Sequence, residues 1–337
     1  MKILVTGGAG YIGSHTTVEL QNAGYDVVIL DNLYNSSERV VDRIEKITGK
    51  RPAFYNADLH DEAAVSDVFR REKIDAVIHF AAYKSAPDSV GKPLEYYYNN
   101  IGSLLSVLRA MKEHGVGRIV YSSSACVYGA ITEMPLRETV QIGAINPYGE
   151  TKIIGEKILR DICKADPGWS AVSLRYFNPV GAHPSGLIGD VPRGIPQNIA
   201  PYILQVATGK LDHLRITGDD FPTPDGTGIR DYIHIVDLAK GHVAAIKWAL
   251  GNTGELVVNL GTGRGVSVYE LFHAFERAVG RALPYKIYPR RPGDAAESYA
   301  DVTRAREILG WRAELTVDDM CTDAWRWQSG NPNGYES

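Results

Sequence analysis

The chain of 337 residues is 44% hydrophobic and 23% charged, which suits a globular protein of one large or two modest domains around a substantial core. Its formal net charge of -4, with acids and bases interspersed, leaves no basic footprint for nucleic acid or an anionic membrane surface, so a small-molecule partner is expected. The three cysteines, Cys126, Cys163 and Cys321, are an odd set without CxxC spacing, which argues against a disulfide framework or a metal site and for reduced, buried thiols.

The opening MKILVTGGAG has too short an apolar run for a signal-peptide core, and no window approaches the ~18 consecutive apolar residues of a membrane span. A soluble cytoplasmic protein is expected. Short β-branched runs follow in order: KILVTG from 2, DVVILD from 26, AVIHFAA from 76, GRIVYSSS from 117 and SAVSLRYFN from 170. They are apolar throughout and do not alternate, the mark of strands buried on both faces of a parallel sheet. Helical patterns at 12–23, 61–72, 95–114 and 149–165 separate them, so the fold class is α/β, a doubly wound parallel sheet. After Asn178 the chain turns rich in Gly, Pro and Asp, as in NPVGAHPSGLIGDVPRGIP and GDDFPTPDGTGIRDY, where no regular element is expected. Loops that long in a compact protein are usually functional. A helix and strand over YIHIVDLAKGHVAAIKWAL and LVVNLG then return to the sheet, and 266–337 is expected to complete a smaller second domain.

Two motifs carry chemistry. GGAGYIG places Gly7, Gly10 and Gly13 between the first strand and the first helix, where glycine allows a tight turn and close approach of a pyrophosphate to a helix N-terminus. Asp31 ends the second strand 18 residues past Gly13; a carboxylate there accepts from ribose hydroxyls and repels a 2′-phosphate, which favours NAD over NADP. In NPYGETK, Tyr148 and Lys152 share one helix face at i and i+4, with Pro147 suited to the first turn. A phenol acting as a base near neutrality needs its anion stabilised. An ammonium ~4 Å away supplies up to about 4 kcal/mol at an effective dielectric of ~20, about three pK units before desolvation opposes it.

The set GGAGYIG, LDN, AD at Asp58, HFAAYK, NN at Asn99, SSSACVYG, PYGETK, RYFNPVGAHPSG and GIRDYIHIVDLA resembles the extended short-chain dehydrogenase/reductase superfamily, and within it the UDP-sugar 4-epimerases from end to end. The resemblance implies a Rossmann domain over 1–176 with a returning segment near 232–262, and a smaller α/β substrate domain from 177–231 and 263–337. It implies interconversion of UDP-galactose and UDP-glucose through a 4-keto sugar, with regenerated NAD as cofactor and a homodimer as the assembly. Tyr148 is the implied base, Lys152 its support and Ser124 the third catalytic residue, chosen over Ser122 and Ser123 by its place four residues before Tyr128.

For the cofactor the resemblance adds Tyr11 and Ile12 in the glycine turn, Asn32, Asn35 and Ser36 after the second strand, and Asp58 with Leu59. Phe80, Ala81, Lys84, Asn99 and Phe177 complete that set. For the substrate it implies Arg230 and Arg291 on the phosphates, Asp294 on the ribose, and Asn178, Asn198 and Ile199 near the diphosphate and sugar, with Tyr176 beside Phe177. Ser298, seven residues past Arg291, stands where the family's sugar 2-position is bordered; a small residue there implies room for an N-acetyl group, although Tyr299 follows directly. Ala125 and Cys126 replace the Asp-Glu pair of the superfamily's dehydratases, so elimination lacks its acid and base. Cys126 matches a cysteine of the 3,5-epimerising reductases, but their partner histidine aligns with Asn198, so Cys126 is read as packing; His79 and His234 are read as structural. The rival readings are a UDP-glucuronate 4-epimerase or decarboxylase and a non-catalytic dinucleotide-sensing regulator.

Overall fold

The computed structural model describes every residue except Pro292 and Ser337. β1 (Lys2–Thr6), α1 (Tyr11–Asn22), β2 (Asp26–Asp31), α2 (Arg39–Thr48), β3 (Ala53–Asn56), α3 (Glu62–Glu72) and β4 (Ala76–His79) form the first half of a doubly wound unit. The second half is α4 (Ala86–Gly91), α5 (Pro93–Glu113), β5 (Arg118–Ser124), α6 (Pro147–Ala165) and β6 (Ser170–Tyr176). Beyond it come β7 (Asn178–Val180), α7 (Ile199–Ala207), β8 (Leu214–Thr217), β9 (Ile229–Arg230), β10 (Tyr232–His234), α8 (Ile235–Gly251) and β11 (Gly254–Leu260). The chain ends with β12 (Val266–Ser267), α9 (Val268–Val279), β13 (Tyr285–Tyr288), β14 (Glu297–Ser298), α10 (Thr303–Leu309) and α11 (Val317–Gly330).

Seven parallel strands stand in the order β11-β6-β5-β4-β1-β2-β3. Successive side chains alternate between faces: Ile3, Val5 and Ile29 enter the core on one side and Leu4, Val28 and Leu30 the core on the other. Both faces being covered explains why the strands read as unbroken apolar runs, and truncating any of these wholly buried side chains to Ala would cost roughly 2–5 kcal/mol. The order reverses between β1 and β4, and the carboxyl ends of the strands meet there in a crevice, the usual ligand position in such a sheet.

The sequence reading omitted β3 and α2. β3 lies at the sheet edge with its residues half-buried or exposed, so it lacks the apolar run of its neighbours. The Gly/Pro-rich stretches hold more regular structure than expected. β7 pairs with β10, and β9 lies between β12 and β14; strands of two or three residues are too short to show a period. The tail is shared between cores. Ala305 of α10 and Trp311 join the core beneath β11 and α8, and the Trp311 indole donates to the Asp237 carbonyl at 3.2 Å, whereas Met320, Cys321 and Ala324 of α11 pack with α7 and α9.

Candidate functional site

The crevice is a cavity of about 580 Å³. On its first wall, β1 runs into the glycine turn, with Gly7 N donating to the Leu30 carbonyl at 2.8 Å and Gly10 N to Gly7 O at 3.1 Å. A Cβ on Gly13 would stand 2.3 Å from the Gly7 carbonyl oxygen, and Gly7 itself has φ +70 with Ala81 N at 2.9 Å from a Cβ. The chain therefore passes closer than any side chain permits and presents the amides opening α1 to the cavity, a cradle for anionic oxygens.

At the end of β2, Asp31 is buried and its carboxylate accepts from Ala9 N at 3.0 Å, Leu33 N at 2.9 Å and Ser36 Oγ at 2.8 Å. A carboxylate has about four lone-pair sites, so room for a further donor remains. Asn32 Nδ2 donates to Asp58 at 2.9 Å, and hydrogen bonds from Asn32 and His60 hold the Asp58 carboxyl below its ordinary range against the opposing effect of burial. Tyr11, Ile12, Asn35, Leu59, Phe80, Lys84, Asn99 and Phe177 share this wall with the residues just named. The donor and acceptor set thus fits a dinucleotide: backbone N–H groups for a pyrophosphate, carboxylates for ribose hydroxyls and apolar side chains for flat rings.

The reacting groups stand on β5 and α6. Asn146 caps α6, its side chain accepting from Gly149 N at 2.9 Å, and Pro147 occupies the first turn, so the helix starts two residues before its expected limit and directs Tyr148 and Lys152 into the crevice. Lys152 Nζ donates to the Ser122 carbonyl at 2.6 Å and lies 5.7 Å from the Tyr148 ring centroid. Ser124 ends β5; its hydroxyl accepts from Cys126 N at 3.1 Å, and Ser124 lines the cavity with Tyr148. Burial pushes that phenol well above its ordinary value, with the Ser124 hydroxyl drawing it back, and burial lowers Lys152 to about 7. This corrects the expectation that the lysine brings the phenol near neutrality. Among the chain's own groups desolvation wins, and lowering the phenol requires further positive charge.

Of the residues expected around the substrate, Ser124, Tyr148, Asn178, Asn198 and Arg291 line the cavity; Ile199, Arg230, Asp294 and Ser298 do not. Arg230 and Asp294 face each other at 3.7 Å, partly exposed, an ion pair weak enough for a stronger anion to open. Ser298 pairs in register with Arg230 in β14, its carbonyl accepting from Asp231 N at 3.0 Å, and Ile199 packs at the start of α7. Cys126 is half-buried on the cavity wall, so the expectation of a buried packing thiol is corrected there; Cys321 is fully buried. His79 bonds Thr6 Oγ1 at 2.9 Å and His234 accepts from Val236 N at 3.0 Å while facing Asp323 at 3.3 Å.

The sequence reading missed Tyr83, whose ring lies 5.1 Å from that of Tyr34 at a tilt of 41°, and Tyr335 and Glu336, all on the wall. It also missed Arg193, which bridges to the Leu33 carbonyl at 3.2 Å. Tyr83 stands inside the HFAAYK motif and was legible there; no local pattern marks Arg193, Tyr335 or Glu336, which arrive through tertiary contact. Asn100 was legible as the second Asn of NN: it ties Tyr83 to Thr151 of α6 with bonds of 2.8 to 3.1 Å. Among the described residues no cluster of three or more His, Cys, Asp or Glu could hold a metal, and no helix is long and apolar enough to cross a membrane.

The model of the NAD dependent epimerase/dehydratase family matches residues 3–261. The chain is 55% identical to the UDP-glucose 4-epimerase of Bacillus subtilis (strain 168) over 337 residues, 100% of this chain and 99% of that one. It is similar to the crystal structure of UDP-glucose 4-epimerase from Bifidobacterium longum in complex with NAD+ and UDP, with a TM-score of 0.95, 54% identity, and coverage of 99% of this chain and 100% of that one. A UDP-Glc/GlcNAc 4-epimerase from Campylobacter jejuni is 33% identical at a TM-score of 0.87, covering 98% and 99% of the two chains.

Proposed function

The chain belongs to the NAD dependent epimerase/dehydratase family, and from that membership we propose a UDP-glucose 4-epimerase that interconverts UDP-galactose and UDP-glucose through a 4-keto sugar with NAD as regenerated cofactor. The observation that carries this reading is the meeting of Ser124, Tyr148 and Lys152 with the glycine turn and Asp31 around one cavity. NAD, when bound, supplies the acceptor and donor of the hydrogen at C4 together with a positive ring charge. Tyr148 takes the proton of the 4-hydroxyl, Ser124 fixes that oxygen by a hydrogen bond, and Lys152 supports the phenolate. The glycine turn and Asp31 hold the dinucleotide, Asn32 and Asp58 border its adenosine end, and Phe80 and Phe177 shield it from water. Arg291 takes the diphosphate of the sugar nucleotide, and Arg230 joins it by leaving Asp294 for the phosphates.

By its offset from Arg291, the small Ser298, which stands in β14 outside the cavity lining, supports a proposed range extending to UDP-N-acetylglucosamine and UDP-N-acetylgalactosamine. A cytoplasmic homodimer is the assembly we propose; Leu94, Tyr98 and Leu105 form an exposed apolar stripe on α5, at 77%, 69% and 40% exposure, that a second copy would cover. The reading is tested by incubating the purified, NAD-loaded protein with UDP-galactose and identifying the sugar nucleotide formed. UDP-glucose is expected; unchanged UDP-galactose would overturn it.

A further inference from the structure

Glu156 follows Lys152 by four residues on α6, as Lys152 follows Tyr148, so the three side chains share one face. It is wholly buried, with its charge countered by Arg175 of β6: Arg175 Nε donates to Oε1 at 2.9 Å and Nη2 to Oε2 at 2.7 Å. Ser123 Oγ donates to the same Oε1 at 2.6 Å. Ser123 stands between Ser122, whose carbonyl holds Lys152 Nζ, and Ser124, which lines the cavity with Tyr148. The carboxylate therefore ties the strand end that carries two of the site's contacts to the helix face that carries the other two. Beyond it, Arg175 Nη1 reaches Tyr128 OH at 3.2 Å, and Tyr128 donates to Asn259 Oδ1 at 2.6 Å, which anchors the pair in β11.

We propose that Glu156 is a positioning residue for the reaction: clamped by Arg175 and Ser123, it fixes β5 against α6 and sustains the positive charge of Lys152 from within the protein. A buried ion pair is a poor source of stability compared with apolar packing, which leaves precision and field as its contribution here. The groups facing Lys152 are Tyr121 and Ser122 of β5, Cys126 after it, His79 of β4, and Tyr148 and Glu156 of α6. Desolvation of the half-buried Cys126 raises its thiol, and full burial lowers His79 to about 3, so both are neutral near pH 7 and Glu156, ion-paired with Arg175, is the carboxylate among them.

The inference rests on the epimerase reading, and the test separates the two: absence of epimerisation by wild type removes that reading, while the inference is judged on variants of an active wild type. Glu156→Gln keeps an acceptor for Ser123 but loses the charge; the alkaline fall of kcat should move to lower pH by roughly half a unit or more with KM unchanged. Glu156→Asp keeps the charge and shortens the reach; kcat should fall roughly tenfold with the pH profile of wild type. Folded Glu156 variants that lose only melting temperature, with wild-type kcat and pH profile, would overturn the proposal. If neither variant folds, Ser123→Ala decides it, since that change removes one 2.6 Å bond and little else. A lower kcat at unchanged KM supports the clamp, and a wild-type kcat overturns it.

Discussion

Lys152→Met keeps the length and apolar stem of the side chain and deletes the ammonium. With Nζ 5.7 Å from the Tyr148 ring centroid, a unit charge at an effective dielectric of ~20 is worth ~3 kcal/mol to a phenolate, or ~2 pK units. At neutral pH the phenolate becomes ~100-fold scarcer, so kcat of the NAD-reconstituted variant should fall by about that factor and then climb with pH over a range where wild type is level. Stability should move the other way. Burial lowers Lys152 from 10.5 to about 7, so the folded state binds this proton less tightly than the unfolded one. That difference costs stability below pH 10.5, increasingly down to about 7 and fully below it, and Met removes the cost. The cofactor-free variant should therefore melt above wild type at pH 7. Wild-type kcat at pH 7 after NAD loading, or a lower melting temperature without cofactor, would refute the reasoning.

Asp31→Ala removes the acceptor of three hydrogen bonds and the repulsion of a 2′-phosphate; cofactor content after refolding with NAD or with NADP should lose its bias toward NAD, and an unchanged bias would place the discriminator elsewhere. Ser298→Tyr is expected to abolish turnover of UDP-N-acetylglucosamine while sparing UDP-glucose, measured as the galacto epimer formed from each; product from both in the variant would show that the strand position does not gate the sugar. His15 and His79 are lowered by burial from 6.5 to about 3, and His242 to about 4. Since the unfolded chain takes up these protons first, their contribution to stability is present above 6.5 and lost as pH falls toward the folded values, by up to ~1.4 kcal/mol per unit for each histidine. The urea midpoint should fall between pH 6.5 and 5, before most carboxylates titrate, and a level midpoint there would contradict it.

The large sheet was legible because burial on both faces leaves unbroken apolar strands, and the glycine turn because Gly7, Gly10 and Gly13 follow one another between a strand and a helix; that Gly7 is also forced by the backbone of Ala81 after β4 was not legible. Tyr148 and Lys152 were legible as a pair because a helix repeats on the scale of their spacing. Their proton affinities were not, since desolvation depends on the packing of β4, β5 and β6 around them. The same holds for Glu156: its spacing from Lys152 is visible in the sequence, whereas its partners Ser123 and Arg175 come from two other strands. Arg230 was expected on the phosphates and Asp294 on the ribose of a ligand; the fold brings them to face each other at 3.7 Å, a tertiary contact that no spacing in the sequence shows.

The central claim is that the proton leaves the 4-hydroxyl through Tyr148 while the hydrogen on C4 departs and returns to the same carbon from the other face. UDP-galactose deuterated at C4 tests this in one measurement, by mass spectrometry of the UDP-glucose formed in ordinary water. Retention of the deuterium at C4 in essentially every product molecule is the expected result. Replacement by solvent hydrogen, or deuterium kept at C4 in product made at the wild-type rate by Tyr148→Phe, would contradict the account.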